Sequence, residues 1–108
     1  MISRIWHGWS THDNAGKYEK HLQEEIFTGI LDKHIEGFRS IQLLRRKDAD
    51  ETEFVTIMQF DSLAAVSEFA GKDYEIAVVP EKARKVLSHF DERSQHYEIV
   101  TEMKNELT

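Results

Sequence analysis

The sequence predicts a small α+β domain with the ferredoxin-like βαββαβ order, its four strands forming an antiparallel sheet in the order 4-1-3-2. Three observations carry this expectation. At 108 residues the chain has the size of one domain with one self-sufficient core. Runs rich in β-branched and aromatic residues alternate with stretches whose apolar positions recur every three or four residues. Turn-forming clusters separate the two kinds of segment.

Residues 2 to 10 form the first extended run, and Ser10-Thr11-His12-Asp13 suits a turn or helix cap. From Asn14 to His34 the residues Tyr18, Leu22, Ile26, Phe27, Ile30 and Leu31 fall on one helical face, in a helix weakened near Gly29. Gly37 opens an extended run from Phe38 to Lys47, and the polar connector Asp48 to Glu51 leads into a second from Glu53 to Phe60, a hairpin. Ser62 suits the N-cap of a short helix carrying Leu63, Val66 and Phe69, with Gly71 just past its end. Pro80 fits the first position of another helical piece, in which Ala83, Leu87 and Phe90 stand at i, i+4 and i+7. Arg93 to Val100 is the last strand, so one domain spans 1–100 and a polar tail 101–108.

Two helices cover one face of such a sheet, yet both strand faces are apolar. Ile2 and Trp6 share one parity of the first strand, and Ile5 and Trp9 the other; Phe54, Met58 and Phe60 stand against Val55 and Ile57 in the third. A second copy of the sheet is the simplest cover, which predicts a homodimer.

With 40% apolar and 31% charged residues the chain reads as folded. A net charge of −6, with no basic run beyond Arg45-Arg46-Lys47, argues against nucleic acid. The lack of cysteine excludes disulfides, thiolate metal sites and a Cys nucleophile, and fits the cytoplasm. Neither a signal-peptide apolar region nor an 18-residue apolar run is present, so no membrane partner is expected. His spacing matches neither HExxH nor a zinc finger, which leaves no expected metal.

Several motifs, Arg4-Ile5-Trp6-His7-Gly8-Trp9, Gly37-Phe38, Leu43-Leu44-Arg45-Arg46, Glu53-Phe54-Val55-Thr56, Phe60-Asp61-Ser62, Phe69-Ala70-Gly71-Lys72-Asp73-Tyr74 and His96-Tyr97-Glu98, together resemble the antibiotic biosynthesis monooxygenase family of dimeric α/β-barrel proteins. The resemblance covers residues 1 to 100. It implies an enzyme that oxidises a small aromatic, phenol-like or polyketide-like compound with molecular oxygen, without a cofactor in several members. Haem-degrading relatives use an Asn near the end of strand one, a Trp in helix two and a following His ligand. Here strand one lacks Asn, Phe69 is the aromatic of helix two, and no His lies between His34 and His89.

Oxygenation without a cofactor needs a base for a phenolic or enolic proton and a dry pocket. Strand four beside strand one would bring His96 towards His7, the two candidate bases. Trp9, of His7's parity, and Gln59 on the neighbouring strand are candidate substrate-binding residues, as is Tyr74 in the crossover, where a lid over a pocket would lie. Each has a plainer reading. A histidine on a half-buried strand also serves as a hydrogen-bonded interface residue, Trp9 as a dimer contact, Gln59 as a strand-end partner and Tyr74 as a staple between helical pieces. Arg39, Arg45 and Arg46 fit a solvated strand edge or a charge that steers an acidic substrate. A second functional class is open as well: the same barrel holding a small apolar ligand, as a binding or stress-response module, without turnover.

Overall fold

The computed structural model describes residues 1–105; the end of the expected tail lies outside them, and 101–105 form no regular element. β1 (Ile2–Ser10) runs antiparallel to β3 (Thr52–Phe60), and β3 runs antiparallel to β2 (Phe38–Lys47). Two short strands, β4 (His89–Phe90) and β5 (Gln95–Glu98), occupy the other side of β1. The sheet order is therefore the expected one, with the fourth strand split in two. The split has a visible cause. Residues 92–94 turn outward to bond the crossover, the Ala77 N–H donating to Glu92 O at 2.9 Å and the Ser94 N–H to Glu75 O at 2.7 Å.

Thr11, extended, caps α1 (His12–His21) by accepting the Asn14 N–H at 3.2 Å. A wider π-helical turn, Leu22–Ile26, joins it to α2 (Phe27–Asp32). Ser62 caps α3 (Leu63–Ala70) in the same way, and Gly71 ends it at φ 95°. Pro80 flanks α4 (Glu81–Val86) as its cap rather than as its first turn. The helical stripe expected to reach Phe90 stops earlier. Leu87 is extended, Ser88 donates its N–H to Trp9 O at 2.7 Å, and the sheet takes the chain back. Phe90 consequently packs from β4 against Trp6, with ring centres 5.9 Å apart. Leu31, expected on the inner helical face, is 55% exposed.

Strand parity divides the sheet. Ile2, Arg4, Trp6 and Gly8 of β1, with Phe54, Thr56, Met58 and Phe60 of β3, face the helices. One core cluster joins Ile2, Ile30, Met58, Phe60, Ala65 and Val66; the other joins Ala15, Tyr18, Leu22, Phe54, Ala83 and Leu87. Ile5, His7, Trp9, Val55, Ile57 and Gln59 have the opposite parity and belong to neither cluster.

Candidate functional site

Between sheet and helices lies a cavity of about 70 Å³, walled by Trp6, Leu22, Ile26, Met58, Phe69 and Val79 and carrying Arg4, Thr56, Ser94 and the phenol of Tyr18 as its polar residues. Its shape follows from the long helix. Tyr18, Leu22, Ile26 and Ile30 all line it at spacings of four. In an α-helix each such step drifts by about 40°, and the wide turn at Leu22–Ile26 takes up that drift.

The polar end is Arg4, which is only 4% exposed. Its guanidinium donates to the carbonyls of Tyr74 and Ile76 and to Nε2 of His96 at 2.9 Å, and its Cζ lies 5.5 Å from the Phe69 ring centre. Among the described residues no carboxylate pairs with it. Burial lowers its pKa to about 10, so it keeps its charge at neutral pH.

His96 stands opposite Arg4 in the β5 register. Arginine can only donate, so Nε2 of His96 must accept, which puts the ring proton on Nδ1 and makes the imidazole neutral. Burial lowers its pKa, Arg4 lowers it further, and Glu75 opposes the shift. Tyr74 meets the His96 ring edge-on at 5.0 Å. Both line a solvent groove behind Arg4, and Ser94 borders groove and cavity alike.

His7 and His96 do not converge. His96 is level with Arg4, whereas His7 has the opposite parity and shares the uncovered face with Trp9 and Gln59. His7 Nδ1 lies 3.1 Å from Glu53 Oε2, and Glu53 also takes Arg46 at 2.9 Å. Trp9 stacks between His7 and His89, with ring centres at 6.1 and 4.5 Å. Gln59 accepts the Ser3 hydroxyl at 2.7 Å, its strand-end role. Arg39 and Arg45 pair with Asp61 and Glu19 as solvated edge residues. The residue that sequence reasoning passed over is Arg4. Its signal was parity, since it sits between Ile2 and Trp6 on the buried face of β1.

No family model matches the sequence, and no curated protein matches it. Solved structures do. A Bacillus cereus protein provisionally assigned as an antibiotic biosynthesis monooxygenase superposes with a TM-score of 0.70 at 14% identity, over 96% of this chain and 97% of that one. The heme-degrader MhuD of Mycobacterium tuberculosis, with two hemes bound in its active site, gives 0.61 at 18% identity, over 96% of this chain and 100% of its own. At these identities the likeness shows the fold, and it is the fold that the sequence resemblance implied.

The cavity does not fit haem. At about 70 Å³ it is about half the ~150 Å³ of an engineered apolar cavity that takes a single benzene. No histidine or cysteine lines it, and Tyr18, whose phenol burial pushes well up, is packed against Phe54 at 4.8 Å. A single-ring ligand enters only as flexible walls such as Met58 and Ile26 move aside. Among the described residues no helix is long and apolar enough to cross a membrane.

Proposed function

We propose that this protein is a cofactor-independent monooxygenase acting on a small aromatic or polyketide-like phenol or enol in the cavity beneath the helices. One observation carries the reading: an apolar cavity ends at a buried cation whose neighbour is a neutral histidine. The cation stabilises an oxyanion and the histidine takes a proton, the two tasks that oxygenation without a cofactor sets a protein.

In this reading the substrate hydroxyl approaches Arg4 at the cavity's end, and its proton passes beside the guanidinium to Nε2 of His96, which borders the groove behind Arg4 rather than the cavity itself. A doubly protonated imidazole no longer accepts from arginine, so the Arg4 N–H turns from His96 to the new oxyanion. The electron-rich anion transfers an electron to oxygen, a C–O bond forms, and the hydroperoxide loses water. For a substrate whose keto form carries a CH₂ at the reacting carbon, one oxygen atom ends in a carbonyl there and the other in water; the two C–H bonds of that carbon supply both electron pairs, so no external reductant is needed. The apolar walls keep competing water away from the radical pair. Tyr74 orients the His96 ring, while His7, Trp9 and Gln59 belong to the pairing of sheets in a homodimer. Absence of cysteine is consistent with a cytoplasmic setting.

Oxygen uptake across single-ring phenols and quinols, with anthrone-type compounds marking the size limit, tests the proposal. Turnover by the native chain should fall by about 10²–10⁴ in His96→Ala, with His7→Ala close to native. No uptake above the His96→Ala level would sink it. The second reading, ligand holding without turnover, draws on the sparse polar lining, four residues in an otherwise apolar wall. It predicts that an unaltered apolar molecule, not an oxidised product, is recovered with the purified protein.

A further inference from the structure

We propose that Arg4 makes the cavity selective for small aromatics that carry an anionic oxygen, a carboxylate or an acidic enolate, over neutral aromatics of the same shape. This deepens the reading above by naming a substrate class, an acidic enol whose anion, once His96 has its proton, is what Arg4 retains, with carboxylates as stable mimics of that anion; it rests on that reading for the reaction, not for binding.

Arg4 serves as a tether, bonding the carbonyls of Tyr74 and Ile76 and so fixing the crossover to β1. A tether needs N–H groups, not charge. All three partners of its guanidinium, the two carbonyls and the neutral His96, are uncharged acceptors. The exposed carboxylates nearest in sequence are engaged elsewhere, Asp73 and Glu75 both facing Arg93 at 3.6 and 3.5 Å. A buried cation without a counter-ion is costly, and the cost is recovered only when an anion arrives.

The geometry suits a planar anion. Three of the five guanidinium N–H groups are used, which leaves two for a ligand. Two N–H groups on one planar fork match the two oxygens of a carboxylate or of an enolised dicarbonyl. The ring attached to such a group would extend along Phe69, Met58 and Trp6, which already wall the cavity beside Arg4.

The test is calorimetric titration of the native chain at pH 7 with benzoate, its neutral near-isostere benzamide, and 4-nitrophenolate as a phenolate-type anion. Benzoate should bind about tenfold or more tightly than benzamide, and Arg4→Met should abolish that preference while leaving benzamide within about twofold of native. Binding of 4-nitrophenolate without benzoate would assign the anion as enolate-like rather than carboxylate and still support the charge selectivity. Equal and measurable binding of benzoate and benzamide, a preference that survives in Arg4→Met, or binding of none of the three probes overturns the proposal. Should Arg4→Met fail to fold, the native benzoate-to-benzamide ratio decides alone. Charge selectivity without oxygen uptake would overturn the oxygenase and leave this inference standing; uptake without selectivity would do the reverse.

Discussion

At the scale of single residues the balance around Arg4 sets two expectations. Replacing it by methionine removes an uncompensated buried charge, which is favourable, and strips bonds from the Tyr74 and Ile76 carbonyls, which is not. Those carbonyls belong to a segment in which Ile76 is 50% exposed, so water can replace the lost donor. Arg4→Met should therefore stay within about 1 kcal/mol of native in urea unfolding, whereas Phe54→Ala, emptying a fully buried site, should cost about 3–5 kcal/mol. His96 supplies the pH dependence. Its folded pKa lies below the ordinary 6.5, first through burial and then through Arg4, with Glu75 acting against both. The unfolded chain therefore binds a proton more readily, and this contribution to stability is full above pH 6.5 and shrinks as pH falls below it. Thermal melts at pH 7.5 and 5 should show a smaller acid-side loss for His96→Gln than for the native chain; equal losses would mean the ring is not held neutral. The sequence hid this centre for a simple reason. A charged residue in a strand reads as solvent-facing, and only the alternation that buries Ile2 and Trp6 shows that Arg4 is carried inward with them.

At the scale of elements, capping chemistry was plain in the sequence because it is local. Thr11, Ser62 and Gly71 do what their side chains, or lack of one, dictate. The breaks were hidden because they are tertiary. β4 and β5 separate where residues 92–94 find partners in the crossover, and the wide turn at Leu22–Ile26 exists because four residues spaced by four must all reach one cavity. Glycines on either side of this architecture test it in opposite directions. Gly29 lies on the exposed side of α2 with open space where a Cβ would be, so Gly29→Ala should stabilise by about 0.5–1 kcal/mol. Gly37, at φ 84°, opens β2 where a Cβ would come within 2.8 Å of the Ala65 Cβ on α3. Gly37→Ala combines left-handed strain with that clash and should destabilise by about 1–3 kcal/mol. Denaturation midpoints of the two variants, moving in opposite directions from native, are the measurement.

At the scale of the whole molecule the composition of the uncovered sheet face argues for the proposed pairing of two copies. Ile5 and Ile57 stand directly opposite each other at the middle of the sheet, with Val55 beside them and Leu44, 43% exposed, at the edge. Polar pairs close both ends, His7 with Glu53 and Arg46 at one and Ser3 with Gln59 at the other. An apolar centre with a hydrogen-bonded rim is how a stable protein interface is built. The sequence disclosed this face through parity but not its separation from the cavity, because alternation shows that two sides exist and not which of them the helices cover. The same separation makes the test clean, since Ile57 touches no cavity residue's side of the sheet. Native mass spectrometry at micromolar concentration should give a dimer for the native chain and a monomer for Ile57→Lys, and the native melting temperature should rise with protein concentration while the variant's does not. If oxygen uptake persists in the monomeric variant, each subunit holds a complete site under its own helices, as the position of Arg4 and His96 requires. A native monomer with a concentration-independent melt would instead leave Ile5, Val55 and Ile57 as a solvent-facing patch and refute the pairing.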